Sequence, residues 1–335
     1  MFRFIRNTLN PSSYHGEGKK PPFFEGWYYK IIDRAEDFRF AIIPGIQISK
    51  DSTKSHAFIQ ILDGNKGYSY YVSFPVDEFH FQNGEFDIRI GNNYFTAVCA
   101  KLDINFPEAQ VKGELHFKNL VHWPVSLNSP GIMGWYAWIP FMECYHGVVS
   151  LDHSVEGELT IDDYETDFSG GRGYIEKDWG RSFPSAWVWM QTNHFREEGI
   201  CLTASVAIIP WINGSFPGFI IALWYKEKLY KFASYTTAHI EKLIIEAKQI
   251  FLSVCDKHHR LEITASRTDG GFLKAPSLVQ MDRRISHSMR ETVQLELYSL
   301  LNKQSKLIFN DTGRNAGIEV NGDIRRLVNM WKSKI

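Results

Sequence analysis

Two short stretches of this 335-residue chain concentrate the side chains that can do chemistry. One is Phe23-Phe24-Glu25-Gly26-Trp27-Tyr28-Tyr29, where a carboxylate stands directly before an aromatic strand. The other begins at Tyr174-Ile175-Glu176-Lys177-Asp178-Trp179-Gly180-Arg181 and runs through Trp187-Val188-Trp189-Met190-Gln191-Thr192-Asn193-His194. A carboxyl group in apolar surroundings loses the solvation that its ionised form needs, so it stays protonated towards neutral pH and can serve as a general acid. Nearby Arg172, Lys177 and Arg181 act in the opposite sense, and Glu25 and Glu176 have a structural alternative: pairing with these cations or binding backbone N–H groups. If residues 187–193 are extended, Trp187, Trp189, Gln191 and Asn193 project to one face. Two rings and two amides together suit an aromatic cavity with a few placed polar groups. The alternative is that the amides satisfy loop backbone.

Several chemistries are excluded or weakened. The chain has no GxSxG elbow, no GxxxxGK[ST] loop and no HExxH helix. Gly170-Gly171-Arg172-Gly173 is not GxGxxG and reads as a tight turn. His146 and His153 lie near Glu143 and Asp152, but their spacing fits no standard metal site. A net charge of −1 gives little electrostatic support for binding nucleic acid. Cys99, Cys144, Cys201 and Cys255 are widely separated and read as buried free thiols in a reducing cytosol. Residues 1–10 lack the apolar core of a signal peptide, and no apolar run approaches the ~20 residues of a spanning helix. These features predict a cytoplasmic protein.

The elements that must position the two stretches are strands. Aromatics make up 15% of the chain, and rings pack well on a pleated surface. Runs such as Trp27–Ile32, Phe38–Ile43, Ala57–Leu62 and Tyr68–Phe74 follow one another, with Asp63-Gly64 and Asn83-Gly84 as hairpin punctuation. The best helical candidate, Thr237–Phe251, has an Ile240-Leu243-Ile244 pattern that is ambiguous. An internal echo supports two copies of one β unit. Trp27-Tyr28-Tyr29 resembles Trp187-Val188-Trp189, and Ala41-Ile42-Ile43-Pro44 recurs as Ala207-Ile208-Ile209-Pro210. Phe58-Ile59, Phe86-Asp87-Ile88 and Thr96-Ala97 have counterparts at Phe219-Ile220, Phe251-Leu252-Ser253 and Thr264-Ala265. All matches keep their order at offsets of 160 to 168 residues. The expectation is an all-β fold of two tandem antiparallel barrels or sandwiches with few short helices: a polar, loosely held arm over 1–22, a first half over 23–170 and a second over 171–335. Residues 119–142 contain no Lys, Arg, Asp or Glu but hold Trp123, Trp135 and Trp138 among prolines. This segment reads either as a connection packed on the core or as a cavity lip or membrane-touching surface.

The two stretches, together with Tyr14-His15, resemble the tocopherol cyclase family; Leu273-Lys274-Ala275-Pro276 and Ala316-Gly317-Ile318-Glu319-Val320 add weaker support. The landmarks run in order through most of the chain. The resemblance implies lipocalin-like tandem barrels and closure of a prenylated hydroquinol into a chromanol: an acid protonates the prenyl alkene and the phenolic oxygen captures the tertiary cation. It implies no redox cofactor and no metal. For such a reaction in this chain, Glu176 or Asp178 is the expected acid, and Glu25 and His194 are expected to orient it or accept protons. Tyr145, Gln191 and Asn193 hold the polar head group, and Trp27, Tyr29, Trp179, Trp187 and Trp189 line the cavity. The chain departs from the plant pattern at Asp178, where that pattern has Asn, and at His194. With no plastid-targeting extension it reads as a bacterial relative, whose substrate is a prenylated aromatic or a polyene. The alternatives are a non-catalytic carrier of a prenyl lipid or quinone, and an interaction protein with a filled core.

Overall fold

The computed structural model describes residues 2–106, 109–301 and 304–332. Helix α1 (Phe2–Thr8) precedes β1 (Phe23–Ile32), β2 (Arg39–Ile48), β3 (His56–Asp63), β4 (Tyr68–Phe74), β5 (Phe79–Phe81), β6 (Asp87–Ile90), β7 (Asn93–Thr96), β8 (Cys99–Phe106), β9 (Ala109–Lys118), β10 (Cys144–Ile161), β11 (Tyr164–Asp167) and β12 (Gly171–Gly180). These strands form one antiparallel sheet, ordered β4-β3-β2-β1-β12-β10-β9-β8-β7-β6-β5, with β11 beside β10. There follow β13 (Ala186–Thr192), β14 (Cys201–Trp211), β15 (Gly214–Tyr225), β16 (Lys228–Ala233), β17 (His239–Ile245), β18 (Gln249–Cys255), β19 (His259–Ser266), β20 (Gly271–Ala275), β21 (Arg283–Leu301), β22 (Gln304–Gly322) and α2 (Ile324–Lys332). The second sheet runs β16-β15-β14-β13-β22-β21-β19-β18-β17. The fold is thus two large antiparallel β-sheet domains with few short helices. One compact unit holds the chain up to Phe183 together with Gly271–Ile285; the other holds Pro184–Gly270 and the chain from Ser286 onward. Segment 271–285 belongs to the first because Lys274 N–H donates to Gln60 Oε1 at 2.7 Å.

The two sheets share one topology. In each, a four-strand meander leads off, and its first strand pairs with the unit's last long strand, β1 with β12 and β13 with β22. The echoed sequences fall on corresponding strands, β1 and β13, β2 and β14, β3 and β15, but not in matching register: Ala207 lies opposite Trp187, whereas Ala41 lies opposite Lys30. Strands β1 and β13, central in their sheets, are almost wholly buried, with Glu25 and Lys30 of β1 and Gln191 and Thr192 of β13 among the buried residues. On β9 and along much of β21, buried and exposed residues alternate, because one face meets solvent.

The helical candidate at 237–251 is instead two strands, β17 and β18. A register irregularity lies between Ile240 and Lys242. An extra residue there turns both Ile240 and Leu243 inward. A spacing of three that imitates a helical turn is therefore a bulge.

The arm is not loosely held. Ser13, Tyr14 and His15 are buried, and Trp27 Nε1–H donates to Ser12 O at 2.9 Å. Its anchor is Lys177, fully buried on β12. The ammonium lies 2.5 Å from Glu25 Oε1 and 2.6 Å from His15 Nδ1, and it also donates to Pro11 O at 3.2 Å and to Ser13 O. The Trp179 and Trp27 rings lie 4.4 and 5.1 Å away. Glu25 in turn accepts the His15 backbone N–H at 2.9 and 3.0 Å. Burial pulls the Lys177 pKa down and Glu25 pushes it up; the balance, about 8, keeps it charged at neutral pH. Burial and Lys177 both lower the pKa of His15 against the pull of Glu25. The neutral ring accepts at Nδ1 and donates from Nε2 to Asn7 O.

Breaking a buried ion pair by removing one partner costs about 3–5 kcal/mol, whereas replacing both partners with neutral groups is far milder. We expect Glu25→Gln or Lys177→Met alone to cost the first unit roughly that much in urea unfolding, and the double variant to recover part of it. Single-variant losses under about 1 kcal/mol would contradict this anchor.

Candidate functional site

Strand β12 places two different chemistries on its two faces, because successive side chains point to opposite sides. Ile175 and Trp179 enter the core of the first unit. Lys177 shares that face, as do their register partners Tyr29, Trp27 and Glu25 on β1. The opposite face of β12 carries Tyr174, Glu176 and Asp178. On β10, Tyr145 pairs with Trp179 and His146 with Asp178, so these two residues also separate.

The face away from the core holds a proton-carrying cluster. His146 Nδ1 lies 2.9 Å from Asp178 Oδ1. His146 Nε2 lies 3.6 Å from Glu176 Oε2, near enough for Coulomb attraction but beyond hydrogen-bond reach. That ring nitrogen is buried and makes no hydrogen bond among the described residues. Tyr174 O–H donates to Glu176 Oε2 at 2.6 Å. Burial lowers the His146 pKa, but Glu176 and Asp178 outweigh it and raise it to about 9, so the imidazole is protonated at neutral pH. Lys30, fully buried, pairs in register with Tyr174 on the same face.

The expected site residues thus fall into separate groups. Glu176 and Asp178 come together, joined by His146. Glu25, Trp27, Tyr29, Tyr145 and Trp179 lie across the sheet from them. Trp27 stacks on Phe86 at 5.3 Å, and Tyr29 O–H donates to Thr96 O at 2.7 Å. Trp179 is sandwiched between His15 and Tyr145, at 4.4 and 5.4 Å. Tyr145 O–H donates to Ile139 O.

The second unit holds the rest. Strand β13 is extended, and Val188 and Met190 enter that unit's core while Trp187, Trp189 and Gln191 face the other way. Across β22, Trp189 is opposite Glu319 and Gln191 is opposite Gly317. Glu319 accepts Trp187 Nε1–H at 2.6 Å and meets His287 Nδ1 at 2.8 Å. Trp189 and His287 have ring centroids 5.5 Å apart. A Cβ on Gly317 would meet the Trp189 ring at 2.8 Å, so glycine is what permits this packing. Gln191 Nε2 points at Cys201 Sγ, and His194 Nδ1 contacts Asn193 Oδ1 at 3.1 Å. His287–Glu319 sits on β21 and β22 as His146–Asp178 sits on β10 and β12: a histidine one strand in from the strand that closes on the meander.

Sequence reasoning missed Tyr174, Lys30, His287 and the pairing role of Glu319. It weighed His146 only as a metal ligand beside Glu143 and Asp152. The spacing of Tyr174, Glu176 and Asp178 by twos was a usable signal for one shared face. The partners of His146 and His287 come from strands whose register no local pattern gives. His153 makes no such site: burial and Arg172 depress its pKa to about 3, and the missing side chain of Gly173 makes room for its ring. Three groups among the described residues bring possible metal ligands within 4.8 Å of one another: His146-Glu176-Asp178, Cys99-Glu114-His116 and His239-Glu241-Cys255. All four cysteines are free.

The protein is one of two large antiparallel β-sheet domains, each with a His–carboxylate pair on its inner strands. Residues 100–322 match the tocopherol cyclase-like family, and the chain belongs to it. It is 23% identical to the protein named probable tocopherol cyclase, chloroplastic, of Oryza sativa subsp. japonica, over 93% of this chain and 78% of that one. The tocopherol cyclase of Zea mays is 22% identical, over 93% and 77%. Among solved structures, CghA bound to Sch210972 is similar with a TM-score of 0.55 at 12% identity, covering 90% of this chain and 89% of that one. Kievitone hydratase from Nectria haematococca gives 0.51 at 11% identity, covering 89% of each. At such identities the likeness speaks for the fold alone. No described helix is long and apolar enough to cross a membrane.

The raised His146 pKa has a stability consequence of definite sign. A group whose pKa rises on folding stabilises fully below its unfolded value, near 6.5, and that contribution is lost as pH climbs through about 9. Between these limits the wild type should lose on the order of 2–3 kcal/mol more unfolding free energy than His146→Gln. Parallel pH slopes for the two proteins in urea unfolding would refute the charged imidazole.

Proposed function

We propose that the protein is an acid catalyst acting on a prenylated hydroquinol or phenol, closing it to a cyclic ether. The observation that carries this reading is His146, a part-buried imidazolium held between two carboxylates, its Nε2 making no hydrogen bond among the described residues. Protonating an alkene needs a stronger acid than imidazolium. Transfer of the Nδ1 proton across 2.9 Å to Asp178 supplies one, and Asp178, with 28% of its side chain exposed, is the member of the cluster most open to a substrate. Glu176, held by Tyr174, keeps the histidine charged.

The steps balance without an oxidant or reductant. The Asp178 O–H bond breaks and its proton joins the alkene carbon, leaving a tertiary cation. The phenolic oxygen bonds to that cation and loses its proton to the Asp178–His146 pair, which regains its starting state. The product is an isomer of the substrate. Family membership and the plant relatives named as tocopherol cyclases support the class of reaction, while Asp178 as its acid rests on the geometry of this chain alone, because the plant pattern has Asn at that place. Glu25 then has a positioning role: with Lys177 it fixes the register of β12 and so the place of Asp178.

Asp178→Asn should reduce turnover of a prenylated hydroquinol by at least about a thousandfold, with binding, read by tryptophan fluorescence, within about threefold. In D2O the wild-type product should gain one deuterium on the carbon adjacent to the new C–O bond. Binding without turnover in the wild type would instead identify a carrier of such lipids. Turnover that survives Asp178→Asn would remove Asp178 as the acid.

A further inference from the structure

We propose that the first unit docks on an anionic lipid bilayer through α1 and the uncharged segment 119–142. Large apolar side chains gather there in water. Phe2 is 91% exposed, Leu127 67%, Phe141 55% and Trp135 44%, with Phe4 and Ile5 also exposed. Phe4, Leu127 and Trp138 meet on one surface. The Phe4 ring meets Trp138 at 6.0 Å, and Trp138 Nε1–H donates to Leu127 O at 3.0 Å. Trp135 and Tyr136 pack with ring centroids 4.3 Å apart. Pro11 of the arm lies against Gly131. The arm is fastened through Lys177, so α1 is carried on a fixed base. Burying one such side chain is worth roughly 1.5–3 kcal/mol, and apolar patches left exposed mark interaction surfaces.

The charge pattern selects the partner. Segment 119–142 has no Lys, Arg, Asp or Glu, whereas residues 1–22 carry Arg3, Arg6, Lys19 and Lys20 against Glu17 alone. Glu17 pairs with Arg3 at 3.2 Å, and Arg6, Lys19 and Lys20 are exposed. Apolar side chains with a cationic rim are the pattern of an element lying in the lipid interface, and tryptophan favours that depth. Pro124, Pro130 and Pro140 break the segment, so it presents no regular helix or strand face. Fluid hydrocarbon accepts such a shape, whereas a protein partner would have to be moulded to it. The inference deepens the proposed function by naming where a prenylated substrate is met, and it rests on that reading for this purpose alone.

Flotation of the full chain with vesicles tests it. Phosphatidylcholine–phosphatidylglycerol vesicles should carry the protein, pure phosphatidylcholine should carry much less, and added salt should release it. Arg6→Gln should lower partitioning about fivefold, and Leu127→Ser with Trp135→Ser at least about tenfold, at unchanged Tm. The proposal is overturned if the wild type fails to float, or if the variants float equally well. A concentration-dependent dimer that the same substitutions dissolve, without lipid binding, would overturn it in favour of a protein interface. Flotation needs no substrate, and turnover of a detergent-dispersed hydroquinol needs no vesicle, so this proposal and the catalytic one fail separately.

Discussion

A charged ammonium with no solvent access organises the first unit. Lys177 sits at the middle of β12, and the cost of taking it out of water is offset only if every donor finds a partner. Glu25 from the adjacent strand, two carbonyls and the His15 ring from the arm, and two tryptophan faces meet that demand. The same contacts fix the register of β1 against β12 and hold the arm in place. A slip of one residue would turn Lys177 towards the other face and leave Glu25 buried without its cation.

The alternation of β12 then does the rest. With Lys177 directed to the core side, Glu176 and Asp178 must both emerge on the opposite side, beside His146 of β10. The same geometry separates an ion pair that stabilises from a cluster that stores a proton, although the residues are neighbours in sequence. Glu25 and Glu176 illustrate the difference. Both are buried, but one faces a lysine and the other a histidine, and only the second arrangement includes a ring nitrogen that makes no hydrogen bond.

The second unit repeats the topology but not the chemistry. Trp27 faces its core opposite Lys177, whereas Trp187 faces away from its core opposite Asn321. The carboxylate that meets a histidine there is Glu319, and it also takes the indole proton of Trp187. Each unit thus carries a His–carboxylate pair on corresponding strands, in different surroundings.

Composition and local pattern by themselves determined the strand-rich class, the repeat, and most of the strand positions, because aromatic and β-branched runs with turn residues between them are a local signal. They also placed Trp187, Trp189 and Gln191 on one face of a strand, since alternation along one strand needs no knowledge of its neighbours. Tertiary structure alone decided which of these groups meet. Whether Glu25 is an acid or an anchor depends on Lys177 lying across the strand pair. Whether Ile240 and Leu243 mark a helix or a bulge depends on the partner strand β18. His146 acquires its charge only from two carboxylates brought to it by cross-strand register. Burial and electrostatics are properties of pairs distant in sequence, so a local reading of the chain leaves them open.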